Sequence, residues 1–365
     1  MNPFLERSPA LKTRRDSITR RDFLYSAAVP LTLTALSPSL RAEDPKAKRM
    51  GIASTSFMSP AVSQAGGRPQ VRDAYEFLEK CSALGAGGIQ AQLNGDLAKL
   101  RSRAEQLGMW IEGMVSVPRN GDVAAFERSL TDARTAGATV VRAAMLSGRR
   151  YETFSTLGEW KKWVEQTHEA LRLVVPVIER QKVTLAIENH KDWTLDDMQH
   201  LLKSYSSEYL GVCLDFGNNI ALLDDPMETL ETLAPFAKST HVKDMGVRPY
   251  ADGFLLSEVP LGTGFLDLPR MVSVLQKANS RIQFSLEMIT RDPLKVPCLT
   301  TQYWTVFPER NGKYLAQTIR LVRQNSGGAS PLPTVSGLAN DERVRIEEEN
   351  VKACLRYARD KLLIS

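Results

Sequence analysis

The stretch Val183-Thr-Leu-Ala-Ile-Glu-Asn-His190 constrains this chain more than any other. Apolar and β-branched residues run without polar alternation into one carboxylate, Glu188, which is how a strand buried on both faces of a parallel sheet reads. The pattern recurs at Leu210-Gly-Val-Cys-Leu-Asp215, at Ser239-Thr-His241-Val-Lys243-Asp244 and at Gln283-Phe-Ser-Leu-Glu287. Four strand ends therefore each deliver one side chain able to hold a metal: Glu188, Asp215, His241 and Glu287.

Their spacing decides how they can meet. Asp215 follows Glu188 by 27 residues, His241 follows Asp215 by 26, and Glu287 follows His241 by 46. A (β/α)8 barrel of about 250 residues spends roughly 30 residues on each strand and helix, so these are consecutive units, the last with a long loop. The carboxyl ends of all barrel strands open into one cup, where the four side chains converge. Any one strand-end acid can instead be a helix cap or an ion-pair partner; four in barrel register are harder to explain that way.

The rest of the body reads as strands alternating with helices, the signature of a parallel sheet. Strands are expected at 51–54, 88–93, 110–117 and 139–144, with helices at 71–84, 97–107 and 123–136 and a long one ending near Gln181. Helices at 194–205, 227–236 and 268–277 separate the later strands. Gly85, Gly108 and Gly137 stand where left-handed helix caps are wanted. Residues 291–310, with Pro293, Pro297 and Pro308, read as a long loop over the site, and 313–324 as the eighth helix. A Gly, Ser and Pro-rich hinge at 326–336 leaves 341–363 as a charged terminal helix, a packing or oligomer element; a homo-oligomer is one expectation.

Ten basic and five acidic residues precede Met50, out of 47 and 42 in the chain, so the body carries 37 of each sign. Nucleic-acid binding needs a basic footprint that this body lacks. Thr19-Arg20-Arg21-Asp22-Phe23-Leu24, followed by uncharged sequence to Leu40, looks like a twin-arginine export signal, with a cleavage site at Leu40-Arg41-Ala42. The alternative is a basic arm. Periplasmic or other extracytoplasmic localisation through the Tat export machinery is the expectation, with no stable membrane span after processing. The boundaries expected are 1–42 for the signal, 43–325 for the barrel and 326–365 for the hinge and terminal helix. Cys81, Cys213, Cys298 and Cys354 lack the paired spacing of a zinc cluster, and Cys213 lies inside a strand as a small hydrophobe.

Three carboxylates and one imidazole form an oxygen-rich set that suits Mn(II), Mg(II), Co(II) or Fe(II). Ile187-Glu188-Asn189-His190, Leu214-Asp215-Phe216-Gly217-Asn218, His241-Val242-Lys243-Asp244, Pro260-Leu261-Gly262-Thr263-Gly264 and Leu286-Glu287 together resemble the xylose-isomerase-like TIM-barrel family of sugar isomerases, epimerases and inosose dehydratases. The resemblance runs over roughly residues 50 to 325. It implies that Glu188, Asp215, His241 and Glu287 bind one divalent ion, Mn2+ first among those named, and that the two glutamates are catalytic. They would move a proton next to a carbonyl through a metal-bound enediolate.

The sequence departs from the ketose 3-epimerase branch in two places. That branch commonly has a histidine three residues beyond the metal aspartate, where this chain has Asn218, and an arginine soon after the metal histidine, which Arg248 matches only approximately. His190, Asn218 and Lys243 are the candidate substrate contacts; for His190 the alternative is a ligand orienter, and for Lys243 a surface ion pair. His168 and His200 fall on helices, so the histidine-rich three-metal site of the endonuclease IV type cannot be assembled. The leading expectation is a sugar isomerase or epimerase. A lyase or dehydratase acting on a keto-sugar or 3-keto-glycoside, and a non-catalytic sugar-binding barrel, are the alternatives.

Overall fold

The computed structural model describes residues 50–59, 71, 73–327 and 331–364. The expected export signal and cleavage site lie outside these residues. Eight parallel strands close the barrel: β1 (Gly51–Ala53), β2 (Gly88–Ala91), β3 (Trp110–Met114), β4 (Val140–Ala143), β5 (Thr184–Glu188), β6 (Leu210–Asp215), β7 (Ala237–Val242) and, after two further strands, β10 (Ser285–Leu286). They pair in chain order, and β10 closes on β1 through Gly51 opposite Ser285 and Ile52 opposite Leu286. This is the (β/α)8 architecture that the spacing predicts.

Helices α1 (Ala74–Ala83), α2 (Leu97–Leu107), α3 (Val123–Thr135), α4 (Arg150–Thr153), α5 (Leu157–Gln181), α6 (Leu195–Lys203), α7 (Pro226–Leu233) and α8 (Leu268–Ala278) separate the barrel strands. Most start where a short polar side chain accepts from the first turn: Asp73 from Glu76 N, Asp96 from Lys99 N and Asp225 from Glu228 N. Thr156 and Thr194 each close a capping box, satisfying donors that a helix start leaves orphaned.

Two segments differ from expectation. The 46-residue gap before Glu287 holds a hairpin, β8 (Asp244–Tyr250) and β9 (Gly253–Val259), and the proline-rich stretch after Glu287 adds β11 (Leu294–Val296), antiparallel to β9. Pro249 and Gly246 hide β8 from a propensity reading, yet an edge strand tolerates a proline. Gly253 turns the hairpin at φ 153°, where an added Cβ would stand 2.1 Å from Val296 O. The same stretch also holds the short helix α9 (Thr301–Trp304).

Helix α10 (Gly312–Asn325) is the eighth of the barrel, and α11 (Asn340–Tyr357) folds back beside the open end. Glu347 of α11 accepts from Met58 N and Ser59 N just past β1, and Asn350 donates to Thr290 just past β10. Among the described residues no helix is long and apolar enough to cross a membrane.

Strand parity sorts the interior. Leu185 and Ile187 of β5, and Leu210, Val212 and Leu214 of β6, join the apolar core under the helices. Glu188 of β5 registers with Cys213 of β6, and Asp215 registers with His241 of β7, so these side chains share the inward face. Toward the amino ends that face is plugged by Trp110: a Cβ on Gly51 or Gly88 would meet its ring at 2.3 or 2.1 Å. Above it come Gln90, Glu112 and Ser239, all buried. The cup therefore rests on a polar floor.

Candidate metal centre

The alternation that places Asp215 and His241 on one face brings the four expected ligands together. Glu188, Asp215, His241 and Glu287 each offer one ligand atom, all within 4.8 Å of one another and all buried. His241 Nδ1 lies 3.4 Å from Glu287 Oε1, 3.6 Å from Glu188 Oε1 and 3.7 Å from Asp215 Oδ2. These separations are too long for good hydrogen bonds, and Nδ1 has no partner. Three oxygens and one orphaned nitrogen around a common centre fit a hard or borderline divalent ion.

The outer contacts hold the ligands in that pose. His241 Nε2 faces Gln90 Oε1 at 2.6 Å, so a proton on Nε2 leaves the lone pair on Nδ1. Gln90 cannot flip its amide without loss, because its Nε2 donates to Glu112 Oε2 at 3.0 Å and to Ser239 Oγ at 3.1 Å. Such partners fix a histidine's tautomer and ring angle. Asp215 Oδ1 accepts from Gly217 N and Asn218 N at 2.9 and 2.8 Å, turning Oδ2 inward. Asn218 also donates to Glu188 Oε1 at 2.9 Å, and Thr55 donates to Glu287 Oε1 at 2.8 Å.

Two cations balance the carboxylates. Arg142, from β4, pairs with Glu188 Oε2, and Lys243 bridges Asp215 Oδ2 at 2.7 Å and Glu287 Oε2. Burial pushes the Glu188 carboxyl up, but Arg142 and His241 together outweigh it and hold it below the usual range. Glu287 behaves likewise, with His241 and Lys243 as the lowering charges. Burial opposes a charge on His241, yet Cys213, Glu287 and Glu188 raise it well above its ordinary value. A metal would take the place of that proton.

Lys243 is fully buried, so the surface ion pair weighed for it does not occur. His190 has its Nδ1 buried without a partner; burial, then Lys191, pushes its pKa down to about 4, so its ring is neutral. Asn218 is the contact already described to Glu188. His168 rests on Tyr205, away from the cup. Cys213 is fully buried but shares the ligands' inward face and lies close enough to His241 to interact with it. The Pro260–Gly264 motif is explained by Asp244, whose carboxylate accepts from Met245, Gly262, Gly264 and Leu266 N.

Sequence reasoning missed Gln90, Glu112, Arg142, Ser239, Thr55 and Lys191. For Gln90, Glu112 and Arg142 a signal was present: each is a polar residue inside an otherwise apolar strand. Such a residue must face a barrel interior that has a partner for it.

The model of the xylose isomerase-like TIM barrel family matches residues 78–309, well over half of the chain. The chain belongs to that family. It is 28% identical over 249 residues to the 3-oxo-isoapionate decarboxylase of Pectobacterium atrosepticum, which covers 65% of this chain and 84% of that protein. Its fold is similar to that of a D-psicose 3-epimerase crystallised with D-fructose, with a TM-score of 0.55 at 15% identity over 86% of this chain and 99% of the other. A D-psicose 3-epimerase from Clostridium cellulolyticum with D-tagatose gives 0.54 at 14% identity over the same shares. Relatives in this family are mostly enzymes, and a small carbohydrate is the kind of substrate they point to.

Proposed function

We propose that this chain is a divalent-metal-dependent sugar isomerase or epimerase that removes a proton next to a carbonyl. The observation that carries the reading is His241 Nδ1, unpartnered and facing three carboxylates in a buried cup. A divalent ion bound there, with Mn2+ the first candidate, would polarise a carbonyl and its neighbouring hydroxyl and so acidify the adjacent carbon.

The residues of the chain do the rest. Glu188 and Glu287 lie on the outermost of four adjacent strands, β5 and β10, so a substrate lying between them presents one face to each. Arg142 and Lys243 keep both ionised and able to accept a proton. The same cations make them weak bases, which is why activation of the carbon is needed. Lys243, which touches both Asp215 and Glu287, can hydrogen-bond an oxyanion as it forms.

A second reading, a lyase, is favoured by the relatedness to a decarboxylase. Loss of carbon dioxide from a keto acid, or removal of the proton next to the carbonyl of a keto-sugar before a β-group leaves, develops charge at the same oxygen and uses the same stabilisation. Elimination needs only one base, whereas epimerisation needs a proton donor on each face. Filled ligand positions argue against a barrel that merely binds sugar. We also propose that the leader exports the chain by the twin-arginine route, which favours unphosphorylated substrates outside the cytoplasm.

The test is solvent exchange. Metal-loaded protein, incubated with keto-sugars and 3-keto-glycosides in deuterated water, should place deuterium on the carbon next to the carbonyl, and chelation should stop it. Glu188→Gln and Glu287→Gln keep an oxygen ligand but remove a base, and turnover should fall by roughly 10²-fold or more. Near wild-type turnover in both variants, with the metal still bound, would refute the role of the glutamates.

A further inference from the structure

Lys191 follows β5, three residues past Glu188, and its side chain is 3% exposed. Its ammonium donates to a single acceptor, Asn218 Oδ1, by a short bond. Among the described residues no carboxylate lies within ion-pair distance of it. An ammonium carries three N–H groups, so two remain without a protein partner.

Charged groups that act on it include Lys243, Arg291, Glu258 and Asp215. Arg291 grips both oxygens of Glu258 at 3.1 and 2.5 Å and Arg142 pairs with Glu188, while Lys243 alone meets both Asp215 and Glu287, which leaves one carboxylate charge over. A divalent ion in the quartet would bring two positive charges against that one, so with the ion bound Lys191 is one of two surplus positive charges in a buried place. Burial, then the two neighbouring cations, pushes its pKa down to about 8. A fold gains no stability from such a group, and replacing it by an apolar side chain is commonly neutral or stabilising. Retaining it makes sense where a ligand supplies the missing charge.

Asn218 ties Lys191 to the centre. Its Oδ1 takes the ammonium while its Nδ2 donates to Glu188 Oε1, one of the four metal-facing atoms. Lys191 Nζ thus stands one side chain away from the ligand shell. A neutral hydroxyl would satisfy its N–H groups but leave its charge. Proton removal would place one negative charge on the substrate beside the ion, a carboxylate meets the other surplus charge, and a phosphate brings about two.

We propose that Lys191 binds a carboxylate of the substrate, so that the substrate class is a sugar acid in its keto form and not a neutral sugar. The proposal rests on the metal-centre reading for where the rest of the substrate lies. Matched probes test it, each pair differing only in the carboxylate: D-glucuronate against D-xylose, and D-galacturonate against L-arabinose. Titration calorimetry with Mn2+-loaded protein should show at least one uronate binding tenfold or more tightly than its pentose. Lys191→Met should erase that margin by weakening the uronate at least tenfold more than the pentose, while Lys191→Arg should keep part of it.

Thermal unfolding of the ligand-free variants provides the second readout. Lys191→Met should melt at or above the wild-type temperature, whereas a lysine serving only to support Asn218 would lower it. Equal affinity for both members of each pair, including binding of neither, overturns the proposal. So does a margin that survives Lys191→Met, or tighter binding of D-glucose 6-phosphate than of either uronate. Binding needs no turnover, so a bound uronate that exchanges no hydrogen with solvent would count against the enediolate reading and leave this one standing.

Discussion

Replacing Glu112 by glutamine should make the protein more resistant to alkaline destabilisation. Glu112 sits at the polar floor of the barrel, fully buried, accepting from Ser239 Oγ at 2.5 Å and from Gln90 Nε2. Burial pushes its pKa from the ordinary 4.5 up to about 7, against the lowering pull of Ser239, Gln90 and His241. Below 4.5 the folded and unfolded chains both hold the proton, and Glu112 makes stability no different. As pH rises the unfolded chain releases its proton first, so stability falls through the window from 4.5 to 7 and stays lower above it. At 1.36 kcal/mol per pH unit the full interval is worth about 3 kcal/mol, of which about 2.5 develops between pH 5 and pH 9. The amide of Glu112→Gln retains an oxygen for both donors and cannot ionise. Urea unfolding in EDTA at the two pH values should therefore show the variant gaining about 2–3 kcal/mol relative to wild type on going from pH 5 to pH 9. Taking the change in the difference cancels the titrating groups that do not interact with Glu112. Parallel pH profiles for the two proteins would refute the burial argument.

Two further outcomes are expected. Asp215→Ala or His241→Ala should lose metal and activity together, because either leaves the shell incomplete; full occupancy by elemental analysis in both variants would show that the ligands are other residues. Arg20→Lys with Arg21→Lys should hold the unprocessed protein inside the cell, which fractionation reads directly, and normal export would remove the twin-arginine reading.

What could be read in the sequence was whatever a strand writes locally. Leu210–Asp215 and Leu97–Leu107 have the bounds that their patterns predict, because an apolar run ending on a carboxylate and a helix ending at Gly108 carry their own punctuation. The hairpin of β8 and β9 was lost because Pro249 and Gly246 speak against a strand that tertiary pairing nonetheless forms. Register was the deeper loss. Gln90, Glu112 and Arg142 are visible as polar residues, but their inward direction follows from register, Gln90 opposite Glu112 and Arg142 opposite Ala186, which no single strand shows. Lys191 gave no signal at all, since it is surrounded by Glu258 and Arg291, which arrive 67 and 100 residues later.

The paired cations bear on how the centre is made. In each of Glu188 and Glu287 one oxygen faces His241 and the other is held by Arg142 or Lys243, while in Asp215 one oxygen is held by backbone amides. Three carboxylates this close would repel one another and swing apart if nothing else engaged them. Here each is fixed by a contact that lies outside the metal position, and His241 is fixed through Gln90. The chain therefore spends its hydrogen bonds on arranging the ligands before an ion arrives, and binding it requires little reorganisation of the protein. The same arrangement limits what the site can take as a substitute. Removing Arg142 or Lys243 leaves the ligand set intact in composition but frees a carboxylate to rotate, so selectivity among divalent ions should loosen along with affinity.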